Sequence, residues 1–191
     1  MRVIAGSAKG LNLKAPKGMK TRPTTDKVKG AVFNVLADLT VGAKVLDAFA
    51  GSGALGIEAL SRGAAFVDFI DRDRQAVTVI KENLLRAKMA ERSSVHMGQT
   101  EKILPKLSGG YQLVFLDPPY HRGFIGMMEP ILLAEGVLSE DVVVILETGS
   151  KEEELFQSDL WECYKTSVYG DTKVVYYGLK SFTANKEIEK C

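Results

Sequence analysis

Asp117, Pro118, Pro119 and Tyr120 stand in a row at the end of an apolar run that starts at Gln112 and reads as a buried strand. Two consecutive prolines remove two backbone N–H donors and fix two φ angles, so the strand stops there and the chain holds one rigid shape. The product is a carboxylate, a carbonyl without a competing local donor, and an aromatic face, all held at a strand end. By itself the tetrad is equally a plain strand terminator. A second constellation lies upstream, where "KVLDAF" runs into "AGSGALG" and Gly51, Gly53 and Gly56 satisfy G-x-G-x-x-G. Asp71 follows 20 residues after Gly51, at the end of the next apolar run. This spacing fits a nucleoside-containing cofactor: glycines let backbone approach it closely, and the second-strand carboxylate accepts hydrogen bonds from ribose hydroxyls.

Asp47 bears on which cofactor. It precedes Gly51 by four residues, where a pyrophosphate would face an added negative charge, whereas an ammonium and a sulfonium would not be repelled. S-adenosyl-L-methionine carries both positive groups and a ribose for Asp71. The alternatives are an NAD-type site, or a tight strand–helix turn with an incidental carboxylate.

Such residues need a scaffold that brings strand ends together. Short apolar runs at Lys44–Phe49, Ala65–Asp71, Ser94–Met97, Gln112–Asp117 and Asp141–Glu147 predict strands, and helical patterns fall near 53–62, 73–89, 99–107 and 123–134, the second capped by Asp73. This alternation implies an α/β fold, a Rossmann-like, mostly parallel sheet covered on both faces. Two β-rich runs around Tyr169-Gly170-Asp171 predict a closing antiparallel hairpin. Upstream, Val28, Ala31, Val32, Val35, Leu36 and Leu39 predict an amphipathic helix with Thr24 or Thr25 as N-cap, after a glycine- and proline-punctuated hairpin or arm. The expected organisation is a basic arm at 1–22, one domain at 23–182 and a loose tail at 183–191.

Composition is that of a globular protein, with 46% apolar and 26% charged residues. No apolar run is long enough for a bilayer and the start lacks a signal-peptide core, so a cytoplasmic location is expected, with Cys163 and Cys191 as free thiols. The net charge of +1 is uneven: residues 1–30 hold eight Lys and Arg against Asp26 alone, giving +7 and leaving −6 for the rest. Such asymmetry suggests an arm that meets a polyanion; a solvated arm that aids solubility is the bland alternative.

In order along the chain, "DAFAGSG", Asp71 and "DPPY" resemble the amino-methyltransferases that use S-adenosylmethionine. The resemblance implies that Asp117 and the Pro118 carbonyl accept hydrogen bonds from an exocyclic NH2 group, aim its lone pair at the methyl carbon, and leave Tyr120 to stack on the base. "RVIAGSAKGLNLKAP" and "RPTTDKVKGAVFNVL" narrow the likeness, over residues 2 to about 180, to the bacterial enzymes that methylate the N2 amine of one guanine in 16S ribosomal RNA, position 966. That family implies a seven-stranded methyltransferase sheet behind a basic hairpin that contacts RNA. It implies cofactor roles for Asp47, Gly51, Gly53 and Asp71, with Gln99 where an Asp or Asn usually meets the adenine, and base-handling roles for Asp117, Pro118, Pro119 and Tyr120. Arg2, Lys9, Lys14, Arg22 and Arg122 are the expected RNA contacts, and Arg22, Thr24 and Thr25 belong to the "RPTT" stretch that closes over the cofactor pocket. The expected partner is 16S rRNA, in the 30S subunit or an assembly intermediate, with no membrane, no metal and a monomeric enzyme. Competing readings are an adenine-N6 methyltransferase and a non-catalytic RNA-binding module on the same fold. Base-C5 methylation would need a thiolate, and Cys163 lies away from the expected crevice.

Overall fold

A computed structural model describes residues 1–16, 26–118, 123–152 and 155–180. Seven strands form one sheet: β1 (Lys44–Asp47), β2 (Phe66–Asp71), β3 (Ser93–Met97), β4 (Tyr111–Leu116), β5 (Leu138–Gly149), β6 (Trp161–Tyr169) and β7 (Thr172–Leu179). Their order is β3-β2-β1-β4-β5-β7-β6, the first five parallel and the last two antiparallel. The chain reverses direction across the sheet between β1 and β4, and in such sheets the crevice beyond the carboxyl ends at this switch point is where ligands bind.

Five helices cover the faces: α1 (Asp26–Leu36), α2 (Ala54–Ser61), α3 (Arg74–Ala87), α4 (Thr100–Ile103) and α5 (Phe124–Leu132). Strand alternation divides the core in two. Val45, Leu113, Phe115, Val143 and Ile145 pack with Val32 and Phe33 of α1, Ile57 and Leu60 of α2, and Ile80 and Leu84 of α3. Leu46, Val114, Leu116, Val144 and Leu146 pack on the other side with Ile125, Met128 and Leu132 of α5.

The expected elements are present with shifted ends. Asp73 caps α3, its side chain accepting from the N–H groups of Gln75 and Ala76. Gly170, at φ +63°, turns the β6–β7 hairpin. The helix expected over 99–107 is only one turn, because Pro105 cannot donate and the chain tightens into a 3-10 turn at Leu104–Lys106. β5 begins three residues earlier than expected, since Leu138 pairs with Tyr111 across an irregularity in the ladder. Leu39 falls outside α1 and is 48% exposed.

Residues 1–16 form a wall on α2 and α3 in place of a free arm. A single antiparallel bridge joins Arg2 to Asn12, and Val3 and Leu13 enter the core. Glu58 of α2 accepts the N–H groups of Ile4 and Ala5 at 2.7 and 3.0 Å, the Nε of Arg62 at 2.8 Å and the ammonium of Lys29 at 3.0 Å. Lys29 also donates to the Arg2 carbonyl at 2.6 Å. Both side chains of this ion pair are fully buried, so Lys29, one of the eight N-terminal cations, is unavailable to a polyanion. Burial pulls its ammonium below the usual lysine range, against the attraction of Glu58. The expected Thr24 or Thr25 cap and the tail at 183–191 lie outside the described residues.

Candidate active site

β1 ends at Asp47, and the chain then turns through Gly51, at φ +55°, and Gly53, at φ +75°, into α2. Few residues other than glycine hold such angles without strain. A Cβ built on Gly51 meets no heavy atom within 4 Å, so this turn borders open space. Gly56 has a different reason: a Cβ there would lie 2.3 Å from the Phe69 ring, so its absence lets α2 settle on β2.

Asp71 holds the turn from the neighbouring strand. Its Oδ2 accepts from Gly51 N–H at 2.8 Å and its Oδ1 from Asp73 N–H at 2.8 Å. Each oxygen keeps a second lone pair for a ligand hydroxyl. Burial raises this carboxyl above its usual range, against the two N–H donors. Asp47 sits beneath the turn, 3% exposed, with Oδ2 accepting from Gly56 N–H at 3.0 Å. Burial pushes it up to about 7, that hydrogen bond opposing and Asp71 adding to the rise. Gln99 is exposed at the exit of β3 and precedes α4 without capping it; the neighbouring Thr100 hydroxyl anchors α4 by donating to the Ala48 carbonyl.

Asp117 and Pro118 follow β4 directly, Asp117 half-buried and Pro118 buried. Asp47 pairs with Phe115 in register, so Asp117 lies two residues further along the adjacent strand, on the same face. Burial raises the Asp117 carboxyl well above its usual range, and the charges of Glu147 and Asp47 raise it further. Pro119, Tyr120 and Arg122, together with Arg22, lie outside the described residues. Arg2, Lys9 and Lys14 are exposed on the N-terminal wall, where Arg2 meets Asp26 at 3.3 Å and Lys14 meets Glu82 at 2.7 Å. Exposed pairs of this kind contribute at most about 1 kcal/mol and yield readily to a competing phosphate.

Two residues with a place at this site carry no flag in sequence reasoning. Asn83 of α3 donates to the carbonyls of Ser52 at 3.1 Å and Lys14 at 3.0 Å and accepts from Lys14 N–H at 2.9 Å, tying the glycine turn to the wall. Its only signal is an amide on the buried stripe of an amphipathic helix. Glu147, 6% exposed, lies near the end of β5 beside Asp117. Its signal is an acid closing an apolar run, the same as that of Asp117. A further buried acid, Asp68, is on the opposite face and is fully engaged, with the Tyr111 hydroxyl at 2.9 Å and His96 Nε2 at 2.8 Å. Among the described residues no group of three or more His, Cys, Asp or Glu is arranged to hold a metal ion, and no helix is long and apolar enough to cross a membrane.

The strand order, the glycine turn after β1 and the acid after β4 are those of the Rossmann-like methyltransferases, the class to which the solved structures of similar fold belong. Residues 1–178 match the family described as conserved hypothetical protein 95, and the chain belongs to that family. A Bacillus subtilis protein named as a candidate rRNA methyltransferase, YlbH, is 41% identical over 182 residues, covering 93% of this chain and 98% of that one. Ribosomal RNA small subunit methyltransferase D of Escherichia coli is 37% identical over 148 residues, covering 78% of this chain and 74% of that one. Among solved structures, a candidate methyltransferase of Escherichia coli, yhhF, superposes with a TM-score of 0.84 at 34% identity, covering 94% of this chain and 97% of that one.

Proposed function

We propose that this chain methylates the N2 amine of a guanine in 16S rRNA, position 966 by the family likeness, using S-adenosylmethionine in the cytoplasm. The observation that carries the reading is the placement of Asp117 on the strand next to Asp47, at the switch point beside the glycine turn. The open side of Gly51 and the spare lone pairs of Asp71 suit a nucleoside, and the acidic surroundings suit a cationic ligand. Bound there, S-adenosylmethionine supplies a methyl group on a positively charged sulfur.

Gly51, Gly53, Asp71 and Gln99 then hold the nucleoside, and Asp47 adds negative potential from below. Asp117 and the Pro118 carbonyl accept the two N–H groups of the guanine amine. That amine is a poor nucleophile because its lone pair is delocalised into the ring, and two fixed acceptors turn the pair outward. Pro119 keeps the Pro118 carbonyl aimed, and Tyr120 stacks on the base. The methylated nitrogen must shed one proton, for which Asp117 is the adjacent acceptor. Arg2, Lys9, Lys14, Arg22 and Arg122 contact RNA phosphates, which position the substrate without reading its sequence.

The test is transfer of a tritiated methyl group to unmodified 30S subunits, naked 16S rRNA and duplex DNA, followed by nucleoside mass spectrometry. N2-methylguanosine from an RNA substrate is the expected product. Label confined to DNA, or found as N6-methyladenosine, overturns the reading.

A further inference from the structure

β4 and β5 run parallel with Leu116 opposite Leu146, which sets residue 147 beside residue 117. Phe115 and Ile145, one pair earlier, face the core under α1 to α3, whereas Leu116 and Leu146 face α5. Alternation therefore returns Asp117 and Glu147 to the α1–α3 side. Val174, paired with Glu147 on β7, lies in that same core. Asp47 is on this side too, since its carboxylate meets Gly56 of α2. Three adjacent strands thus end in a row of carboxylates, Asp47, Asp117 and Glu147, spaced by the roughly 4.8 Å between strands.

Folding alone gives little reason to bury a glutamate beside an aspartate, since like charges at adjacent strand positions oppose each other. A ligand with two neighbouring donors gives a reason. The Watson–Crick edge of guanine presents the N2 amine and, next to it, N1–H; a flipped base is read along this edge. Adenine and 2-aminopurine present an unprotonated N1, whose lone pair would face a carboxylate without a proton between them.

We infer that Glu147 accepts the N1–H of the target guanine while Asp117 and Pro118 engage N2, and that Glu147 is thereby the residue that selects guanine. This rests on the guanine-N2 reading above and names the group behind its base choice. Neither the glycine turn nor the proline tetrad distinguishes guanine from another amino-bearing base, because both act on cofactor and amine alone. The N1 position is where the bases differ.

The experiment compares 30S subunits whose 16S rRNA carries either guanine or 2-aminopurine at the methylated position. Both bases hold the N2 amine, and only guanine has N1–H. Wild-type enzyme is expected to favour guanine by about 10–100-fold in kcat/KM, the discrimination of one well-made base-edge contact. Glu147→Gln offers an amide N–H to the bare N1 of 2-aminopurine and is expected to lower that preference at least tenfold. The ratio is internal to each preparation, so loss of stability does not move it. An unchanged ratio in Glu147→Gln, or a wild-type ratio near one, overturns the inference. Should the variant turn over neither RNA, the same ratio read from binding affinity decides. Failure of the guanine-N2 reading looks different: wild-type enzyme then leaves the guanine N2 of unmodified RNA unlabelled.

Discussion

The N-terminal wall and the strand-end row both bury charge, and they treat it in opposite ways. In the wall, Glu58 receives two backbone N–H groups, a guanidinium and an ammonium, all at 3.0 Å or less. Every lone pair of the acid has a use within the chain, and the result is a joint between residues 1–16, α1 and α2. In the row, Asp47 has one backbone donor, and among the described residues no ion pair forms with Asp47 or Asp117. Burial and mutual repulsion raise both carboxyls. The wall satisfies its charges to hold shape, whereas the row keeps its negative charges close together at the mouth of the site. Perturbed acids in a crevice are what a site uses to receive cationic and N–H-bearing ligands.

The contrast can be broken most sharply at Asp117. Asp117→Ala should lower methyl transfer by at least about 10²–10³-fold, a scale typical of losing one preorganised polar contact, with S-adenosylmethionine affinity changed only a few-fold. Single-turnover rates and calorimetric titration check the two halves, and comparable activity would remove the amine-orienting role. In the wall the corresponding change should act on stability. Lys29→Ala leaves Glu58 buried with less positive charge and should cost about 3–5 kcal/mol in chemical denaturation. An effect under about 1 kcal/mol would mean that the pair is not the joint described.

A smaller effect concerns pH. Asp47 folds with its carboxyl raised from an ordinary value of 3.8 to about 7, so between these values the folded state binds more protons than the unfolded state. Its contribution to stability is therefore present at low pH and lost as pH rises through about 7. Asp47→Asn keeps an oxygen for Gly56 N–H and removes the ionisation. Wild type should lose on the order of 1–3 kcal/mol more than this variant between pH 5 and pH 7.5. Parallel pH profiles for the two proteins would show that Asp47 ionises normally.

What the sequence made legible was local. The glycine turn, the Asp73 cap and the strand break at the proline pair each follow from a few neighbouring residues, and each stands where its spacing implied. Registers and burial were not legible. Lys29 read as one more basic residue because nothing nearby in sequence announces Glu58, 29 positions away, as its partner. Glu147 read as the last residue of a strand, since its nearness to Asp117 depends on how β5 slides against β4. α4 came out shorter than its pattern because Pro105 outweighed apolar periodicity.

Asn83 shows how the two regions are joined. One amide side chain grips the backbone of residue 14 on one side and that of Ser52 on the other. A shift of the wall as it seats on a phosphate chain is therefore passed directly to the loop that faces the nucleoside. Docking the large polymer and settling the small molecule become two motions of one lever, with α3 as its fulcrum.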